Sequence, residues 1–509
     1  MRSLVYFVSC IMVLVNASLL HAVSISVAFD ADPVSLDPHE QLSEGTLQLS
    51  HLTYDPLLRW TQDNQFEARL ATHWQRLDPN TTRFYLREGV TFHTGNPFTA
   101  DDVVFTVKRL KRSVDFKAMF GPITQAIKVD NLTVDIITQQ ATPLLLNILT
   151  YVFPMDHKYF NKRDQIVKYG ETFASRNISG TGPFSLTYRE PGVRLEFTRA
   201  KNYWDQQSKG NVDHITFTPI HTDSTRLAAL LSGDVDFIYP ISPIDIPRAQ
   251  RMSNIKLVTL RSTRILLLHM NQARRSEFRN IKVRQAINLA INQELIVEKI
   301  LKGFGEAAGQ LSAVDLLGHT PSIRPQFDLA KAQQLMRDAG YPEGFRLTMM
   351  APNNRYVHDE RIAQSIVAML AKINIAVELK TLPKAQYFQE FDERSADIMM
   401  LGWQSDTRDS NNLFEFIIAC PDGNTGMGAY NASNYCNPQV DNRIRSANVE
   451  MNPEKRIRLL QQIEQTLVDD AVVVPLMWQH LAWGAKKNLH IEQIVNEQNY
   501  PFLGDLLVE

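Results

Sequence analysis

The sequence is poor in the features that mark nucleic-acid-binding and membrane proteins. It has only 3 cysteines among 509 residues, and 53 Lys and Arg nearly balance 55 Asp and Glu, for a formal net charge of -2. Such a balance gives no electrostatic basis for binding nucleic acid or a lipid surface. Beyond the N-terminus, no apolar run approaches the roughly 18 residues that cross a bilayer. These absences predict a soluble chain that does not bind nucleic acid.

Catalytic and cofactor motifs are also missing. The sequence has no Gly-x-Ser-x-Gly elbow, no Gly-Lys-Ser/Thr phosphate loop, no His-Glu-x-x-His and no Cys-x-x-Cys. Gly180-Thr181-Gly182 begins like a dinucleotide loop, but Pro183 follows directly and the third glycine is absent, which favours a turn at a domain crossover. The 13 histidines show no ligand spacing. We therefore predict no enzymatic activity, no cofactor and no metal.

The N-terminus has the pattern of an export signal. Residues Met1-Arg2-Ser3 carry a charge, Leu4 to Val15 is almost wholly apolar, and small or polar residues lead to Ala22. This order predicts a signal peptide over residues 1–22. Cys10 lies inside the apolar run rather than after it, which does not suit a lipid anchor. We expect the mature protein to be free in the periplasm of a Gram-negative bacterium.

Two cysteines remain after such processing, Cys420 and Cys436, in a stretch rich in Gly, Asn and Ser. In an oxidising compartment this pair predicts a disulfide that closes a surface loop, rather than a metal or redox site. A bridge of this span contributes about 3 kcal/mol when unstrained.

The apolar periodicity changes once along the chain. Up to about Thr263 short alternating runs such as Thr82 to Leu86 predict strands, with a helix over Ala100 to Leu110 between them. The basic run from Lys108 to Arg112 is interpreted as the solvated face of that helix. Beyond Thr263 helical and strand patterns alternate, which indicates an α/β domain with a largely parallel sheet.

Several segments, in one order along the chain, resemble the periplasmic oligopeptide- and dipeptide-binding proteins of ABC importers, the extracellular solute-binding proteins of family 5. The most diagnostic are Leu86 to Gly95 and Phe98 to Phe105. The others are Pro33 to Pro38, Tyr54 to Leu58, Gly180 to Phe184, Asn202 to Trp204, Leu231 to Asp236, Val283 to Ala286 and Leu401 to Trp403.

The resemblance implies an α/β, two-lobed periplasmic-binding-protein fold with two crossover segments and a small inserted domain. Lobe I is expected to comprise residues 23–57, 180–263 and 481–509, the inserted domain residues 58–179, and lobe II residues 264–480. The implied function is capture of a short peptide between closing lobes and its delivery to the membrane permease, by a protein that is monomeric.

The resemblance also implies two charged anchors. In dipeptide-binding members an Asp six residues after a Gly-Trp pair binds the peptide's amino terminus, and Asp409 stands at that distance from Trp403, which follows Gly402. An Arg in those members binds the peptide carboxylate, and Arg355 occupies a comparable place. A planar guanidinium suits a carboxylate because it donates two parallel hydrogen bonds. Trp403 would supply an apolar wall.

Alternatives stay open for these residues. When the motif match is left aside, Asp409 is interpreted as a helix-cap residue. Arg355 is then interpreted as the partner of an acidic residue at the start of the next helix. Arg408 places a positive charge beside the expected amine site, so Asp406 is a substitute anchor. Ser43, Gly45 and Thr46 are expected to offer hydroxyl and backbone contacts from lobe I.

The ligand itself is also open. Relatives of this fold handle glutathione, haem, nickel chelates, opines and oligosaccharides, and fold alone does not choose among them. A secreted hydrolase with a site assembled from distant residues, and a chaperone-like protein with broad affinity for unfolded chains, are the alternatives outside this class.

Overall fold

A computed structural model describes residues 22–33 and 35–509. The predicted signal peptide, apart from Ala22, lies outside the described residues, as does Val34. No helix in the described part of the chain is long and apolar enough to cross a membrane.

The strands are short except for two long ones, which span Ile255–Met270 and Val473–Lys486. They are β1 (Ser24–Phe29), β2 (Leu58–Trp60), β3 (Phe66–Ala68), β4 (Ala71–Arg76), β5 (Thr81–Leu86), β6 (Ile123–Asp130), β7 (Thr133–Thr138), β8 (Phe184–Glu190), β9 (Arg194–Arg199), β10 (His214–Phe217), β11 (Phe237–Tyr239), β12 (Ile255–Met270), β13 (Gly305–Ala307), β14 (Phe345–Pro352), β15 (Ile375–Leu382), β16 (Ile398–Trp403) and β17 (Val473–Lys486).

The helices range from 4 to 17 residues in length, and the longer ones lie mostly in the second half of the chain. They are α1 (Glu44–Thr53), α2 (Ala100–Leu110), α3 (Leu145–Leu149), α4 (Phe173–Arg176), α5 (Asp223–Ser232), α6 (Ile246–Gln250), α7 (Ile281–Ala290), α8 (Gln293–Lys299), α9 (Leu329–Asp338), α10 (Asp359–Leu370), α11 (Lys384–Asp392), α12 (Ser410–Ile417), α13 (Pro438–Val449) and α14 (Pro453–Asp469). The helix expected over Ala100 to Leu110 is confirmed with the same bounds.

One sheet runs through both lobes, in the order β15-β14-β16-β12-β17-β11-β1-β10-β9-β8, with β13 beside β17. On the lobe II side β14 pairs in parallel with β15 and β16, and on the lobe I side β1 pairs in parallel with β10 and β11. The antiparallel strands β12 and β17 join the two halves. This arrangement agrees with the expected two-lobed α/β fold and its two crossover segments.

The two crossover strands are irregular where they pass between the lobes. Arg261 is opposite His480, but the next paired residue, Ile265, is opposite Trp478, so the register shifts at this point. A bulge of this kind bends a strand and interrupts its ladder of hydrogen bonds. The expected boundary at 263/264 lies within this irregular segment and the one at 480/481 lies next to it, and both boundaries stay predictions.

The inserted domain carries its own four-stranded antiparallel sheet, in the order β4-β5-β7-β6. The chain returns from it through Gly180 and Gly182, where an added Cβ would lie 2.0 Å and 2.4 Å from backbone atoms of Thr53. These glycines therefore serve close packing of two backbone segments at the crossover.

The basic run of α2 does not form a uniformly solvated face, so that interpretation was wrong for one residue. Arg109 is 0% exposed, and its Nη1 lies 2.7 Å from Oδ1 of Asp37, a residue of lobe I that is equally buried. Arg112, three residues on, is exposed and pairs with Asp164. The buried pair fastens the inserted domain to lobe I.

Replacing Arg109 by Met should lower the free energy of unfolding by roughly 3–5 kcal/mol, because Asp37 is left as a buried charge without a counter-charge. Replacing Arg112 by Met is the matched control and should change it by less than about 1 kcal/mol. Urea unfolding of both variants measures the difference. Equal effects of the two substitutions would contradict the role assigned to the buried pair.

Candidate functional site

A cavity of about 420 Å³ lies between the lobes. Asp30, Glu44 and Tyr239 line it from lobe I, and Arg355 and His358 line it from lobe II. Two other cavities are not lined by both lobes. One of about 380 Å³ is lined by lobe II alone, and one of about 710 Å³ is lined by lobe I and the inserted domain. Of these three, only the first changes its walls when lobe II moves relative to lobe I.

Glu44, in the first turn of α1, is the most heavily engaged charge of the cleft. Its Oε2 lies 2.7 Å from Nη1 of Arg264 at the strand irregularity and 3.0 Å from Nη1 of Arg355 in lobe II, while Asn499 donates to Oε1. Burial alone raises the pKa of Glu44, but the two guanidiniums outweigh it and bring the pKa down to about 2. One carboxylate thus joins lobe I, a crossover strand and lobe II.

Arg355 lies in the cleft, but its environment departs from the expectation of a guanidinium free to bind a ligand carboxylate. Its guanidinium pairs with Glu44 across the cleft. Asp359 contacts only the backbone of this segment, accepting from the amide of Arg355 at 2.9 Å. The alternative of a side-chain pair at the start of α10 is therefore not what the structure contains.

Asp409 also departs from the expectation, because protein groups of lobe II already hold its carboxylate. It is 1% exposed, its Oδ1 lies 2.9 Å from Nη2 of Arg456, and its Oδ2 lies 3.2 Å from Nε of the same residue. Asp409 also caps α12 by accepting from the amide of Asn411. The helix-cap alternative describes this residue better than a ligand anchor does.

Asp406, the substitute anchor, has the opposite environment. It is buried between the lobes, where the hydroxyl of Tyr151 from the inserted domain donates to Oδ1 at 3.2 Å. Its Oδ2 is buried without a hydrogen-bond partner among the described residues. Burial raises the pKa of Asp406 to about 7. This carboxyl group has an oxygen in the interlobe space that no described group satisfies.

Trp403 and Gly402 support the site rather than form an open wall. Trp403 is 6% exposed, stacks on Phe416 with 5.2 Å between ring centroids, and donates from Nε1 to Asn412 at 3.0 Å. An added Cβ at Gly402 would lie 2.4 Å from the ring of Tyr356. The Gly-Trp pair therefore fixes the strand end from which the Asp406 loop departs.

The predicted lobe I residues stand at the start of α1. Ser43 occupies the N-cap position, but its hydroxyl caps no backbone amide and instead accepts from Nζ of Lys384 in lobe II at 3.3 Å. Gly45 is not closely packed, since an added Cβ would meet only Cα of Pro33, at 4.0 Å. Thr46 is buried, and its carbonyl accepts from the hydroxyl of Ser50. Of the three, Ser43 contacts the opposite lobe.

The loop from Gln404 to Asp409 is bound to the rest of the molecule at several points. Arg408 lies 3.0 Å from the Glu497 carboxylate of lobe I, with its guanidinium over the Trp60 ring at 5.5 Å. The amide of Asn147 in the inserted domain donates to the carbonyl of Thr407 at 2.7 Å. Arg408 is thus neutralised by lobe I, which removes the objection that its charge opposes a nearby amine.

Glu44, Arg264 and Lys384 were not identified from the sequence. Arg264 had a signal, because it precedes the apolar run Ile265 to Leu268 on a strand that is buried there. A charge at such a position requires a buried partner. Glu44 and Lys384 had no comparable local signal.

The side chains of Cys420 and Cys436 lie in bonding position, with their Cα atoms 4.6 Å apart. With Asp441 they are also the one group of potential metal ligands close together in residues 22–33 and 35–509. A sulfur that bonds another sulfur is not a thiolate ligand, so this geometry does not favour a metal.

Two lobes that share crossover strands and enclose a charged cavity define the class of proteins that close around a solute. The chain belongs to the bacterial extracellular solute-binding proteins of family 5, whose model for the middle region matches residues 65–425. It is therefore a solute-binding protein.

Relatives with different ligands have similar sequences. The glutathione-binding protein GsiB of Salmonella paratyphi A is 25% identical over 496 residues, which cover 95% of this chain and 94% of that protein. The dipeptide-binding protein of Escherichia coli K12 is 26% identical over 435 residues, 79% of either chain. A dipeptide-binding protein from Pseudoalteromonas, solved with Met-Leu, superposes with a TM-score of 0.87 at 21% identity, covering 96% of this chain and 100% of that one.

The raised pKa of Asp406 predicts a pH dependence of stability. Between the ordinary value of 3.8 and about 7, the folded protein keeps a proton that the unfolded chain has lost, so this group makes stability fall as pH rises. Asn at this position does not ionise. The free energy of unfolding of Asp406→Asn, relative to wild type, should therefore rise by roughly 2–4 kcal/mol from pH 4 to pH 8.

Urea unfolding of ligand-free protein over this pH range measures the difference. Asp422→Asn is the control, because Asp422 is only half-buried and its pKa is lowered by hydrogen bonds from Asn424 and Thr425, so it titrates below the window. A constant difference between Asp406→Asn and wild type would show that Asp406 has an ordinary pKa.

Proposed function

We propose that this protein is a periplasmic, non-enzymatic receptor that encloses a short peptide between its lobes and delivers it to the permease of an ABC importer. The carrying observation is the buried Oδ2 of Asp406, which lacks a partner in the interlobe space. A peptide's terminal ammonium group supplies three donors and a positive charge. Binding there would convert a destabilised carboxyl into a hydrogen-bonded ion pair.

The size of the cleft supports a small solute. Its cavity of about 420 Å³ falls within the usual range of roughly 300–1,000 Å³ for small-molecule sites. Two of the relatives described above take a dipeptide and glutathione, itself a small peptide derivative. A large partner, such as an unfolded chain, would not fit between lobes that already contact each other through Glu44 and Arg355.

In this proposal the amine anchor is Asp406, and Asp409 serves as a support. Asp409 fixes the start of α12 through Arg456, and so holds the loop that carries Asp406. Arg355 closes the cleft through Glu44. Cys420 and Cys436 form a disulfide in the oxidising periplasm and hold the surface loop between them.

Closure couples binding to transport. A ligand shifts the lobes toward the closed state only as far as it binds that state better than the open one. Asp406 belongs to lobe II and contacts Tyr151 of the inserted domain, and its loop reaches lobe I through Arg408. A ligand at Asp406 would therefore bind where these three parts of the protein meet. We propose that the monomeric closed form is what the permease recognises.

Mass spectrometry under native conditions, on protein purified from the periplasm without refolding, tests the ligand. We expect a bound mass of a di- to pentapeptide that is released unchanged, and at least about tenfold weaker retention in Asp406→Asn, because the ammonium loses its counter-charge. Asp422→Asn is the control and should retain the ligand. A bound haem, opine or nickel chelate would refute the peptide ligand, and turnover of the bound molecule would refute the non-enzymatic role.

The Arg408–Glu497 contact should slow ligand release, because it joins the Asp406 loop to lobe I across the cleft. Arg408→Met and Glu497→Gln should each speed dissociation of the recovered peptide a few-fold, and the double variant no further than either one. Stopped-flow tryptophan fluorescence measures the rate. Arg458→Met removes an exposed pair within α14 and should leave the rate unchanged. Additive effects of the two substitutions would argue against a tether.

A further inference from the structure

One cation of the cleft, that of Lys384, forms no ion pair with a described residue. Lys384 is the first residue of α11, is half-buried, and extends its Nζ across the cleft to the hydroxyl of Ser43 at 3.3 Å. No carboxylate of the described residues lies within 4.0 Å of this Nζ. Nearby arginines differ, because Arg264 and Arg355 pair with Glu44, and Arg226 pairs with Asp223.

The surroundings of Lys384 leave its charge without full compensation. Burial, and after it the charge of Arg355, lowers the pKa of Lys384 to about 8, so the ammonium group remains mostly charged at neutral pH. Asp30 and Glu44 lie near enough to oppose this shift but not in contact. A half-buried ammonium whose only side-chain contact is a neutral hydroxyl is an unfavourable arrangement. An anion in the cleft would relieve it.

The hydroxyl group of Ser43 also favours an anion at this place. As the N-cap residue of α1 it would ordinarily accept from a backbone amide of the first turn, yet it makes no such bond. Its oxygen accepts from Lys384 instead, which leaves the hydroxyl proton available to an acceptor. An ammonium and a hydroxyl from opposite lobes thus converge at one place, which ties the capture of an anion there to closure.

We propose that Lys384, with Ser43, binds the carboxylate of the ligand, in place of the Arg355 expected from the sequence. This assignment rests on the proposed function, since it supplies the second anchor of a zwitterion whose amine is held by Asp406. Arg355 is then a positioning residue that acts through Glu44. The ligand class that results is a small peptide with a free C-terminal carboxylate.

The test compares an equimolar dipeptide library with the same library as C-terminal amides, titrated by native mass spectrometry against ligand-free protein. For the dipeptides that bind, wild type should favour acid over amide by about tenfold or more. Lys384→Met should reduce this ratio to near one by weakening the acids, and Lys384→Arg should restore most of it. Lys380→Met, which removes an exposed lysine of β15, should keep the wild-type ratio.

Arg355→Met separates the two roles, since loss of closure should weaken acids and amides alike and leave the ratio unchanged. The assignment would be overturned if Lys384→Met kept the wild-type ratio of acid to amide binding, or if Arg355→Met lost it. In either case, binding of the acids by wild type would still support the proposed function. Failure of wild type to bind any member of either library would overturn the proposed function and the assignment with it.

Discussion

The closed arrangement depends on one buried carboxylate, that of Glu44. It accepts from Arg264 on a crossover strand, from Arg355 in lobe II and from Asn499 near the C-terminus, so four distant segments meet at two oxygen atoms. Removing a member of such a cluster leaves the others as buried charges without partners, which costs several kcal/mol. The geometry of the cleft therefore follows from the satisfaction of this one group, and the cavity lies beside it.

Polar contacts across the cleft suit a protein that must open again. Each lobe has its own apolar core, built on Phe237 and Trp483 in lobe I and on Ile287 and Met349 in lobe II. Contacts across the cleft include ion pairs and hydrogen bonds, such as Glu44 with Arg355 and Tyr151 with Asp406, which water can replace when the lobes part. The irregular register of β12 and β17 lets the strands bend without breaking either core.

Local patterns predicted local structure well, because they report periodicity and capping. The helix over residues 100–110 and the strand expected over Thr82 to Leu86 follow from such patterns. Charge pairing is different, since the partners lie far apart: Arg355 is 311 residues from Glu44, and Asp409 is 47 residues from Arg456. A single sequence contains no record of which charges meet, so Arg109 was interpreted as solvated and Asp409 as a ligand anchor.

Asp406 and Asp409 show how the fold assigns different roles to like residues. They stand three positions apart in one loop, and both are buried, yet Asp409 has two contacts with a guanidinium whereas Asp406 has a hydroxyl on one oxygen and nothing on the other. The same contrast separates Arg355 from Lys384. Charges that the protein already pairs maintain its shape, whereas the carboxyl group of Asp406 and the ammonium group of Lys384, which form no ion pair, match the two ends of the proposed ligand. The chemistry of the ligand is thus inferred from the charged groups that form no ion pair within the protein.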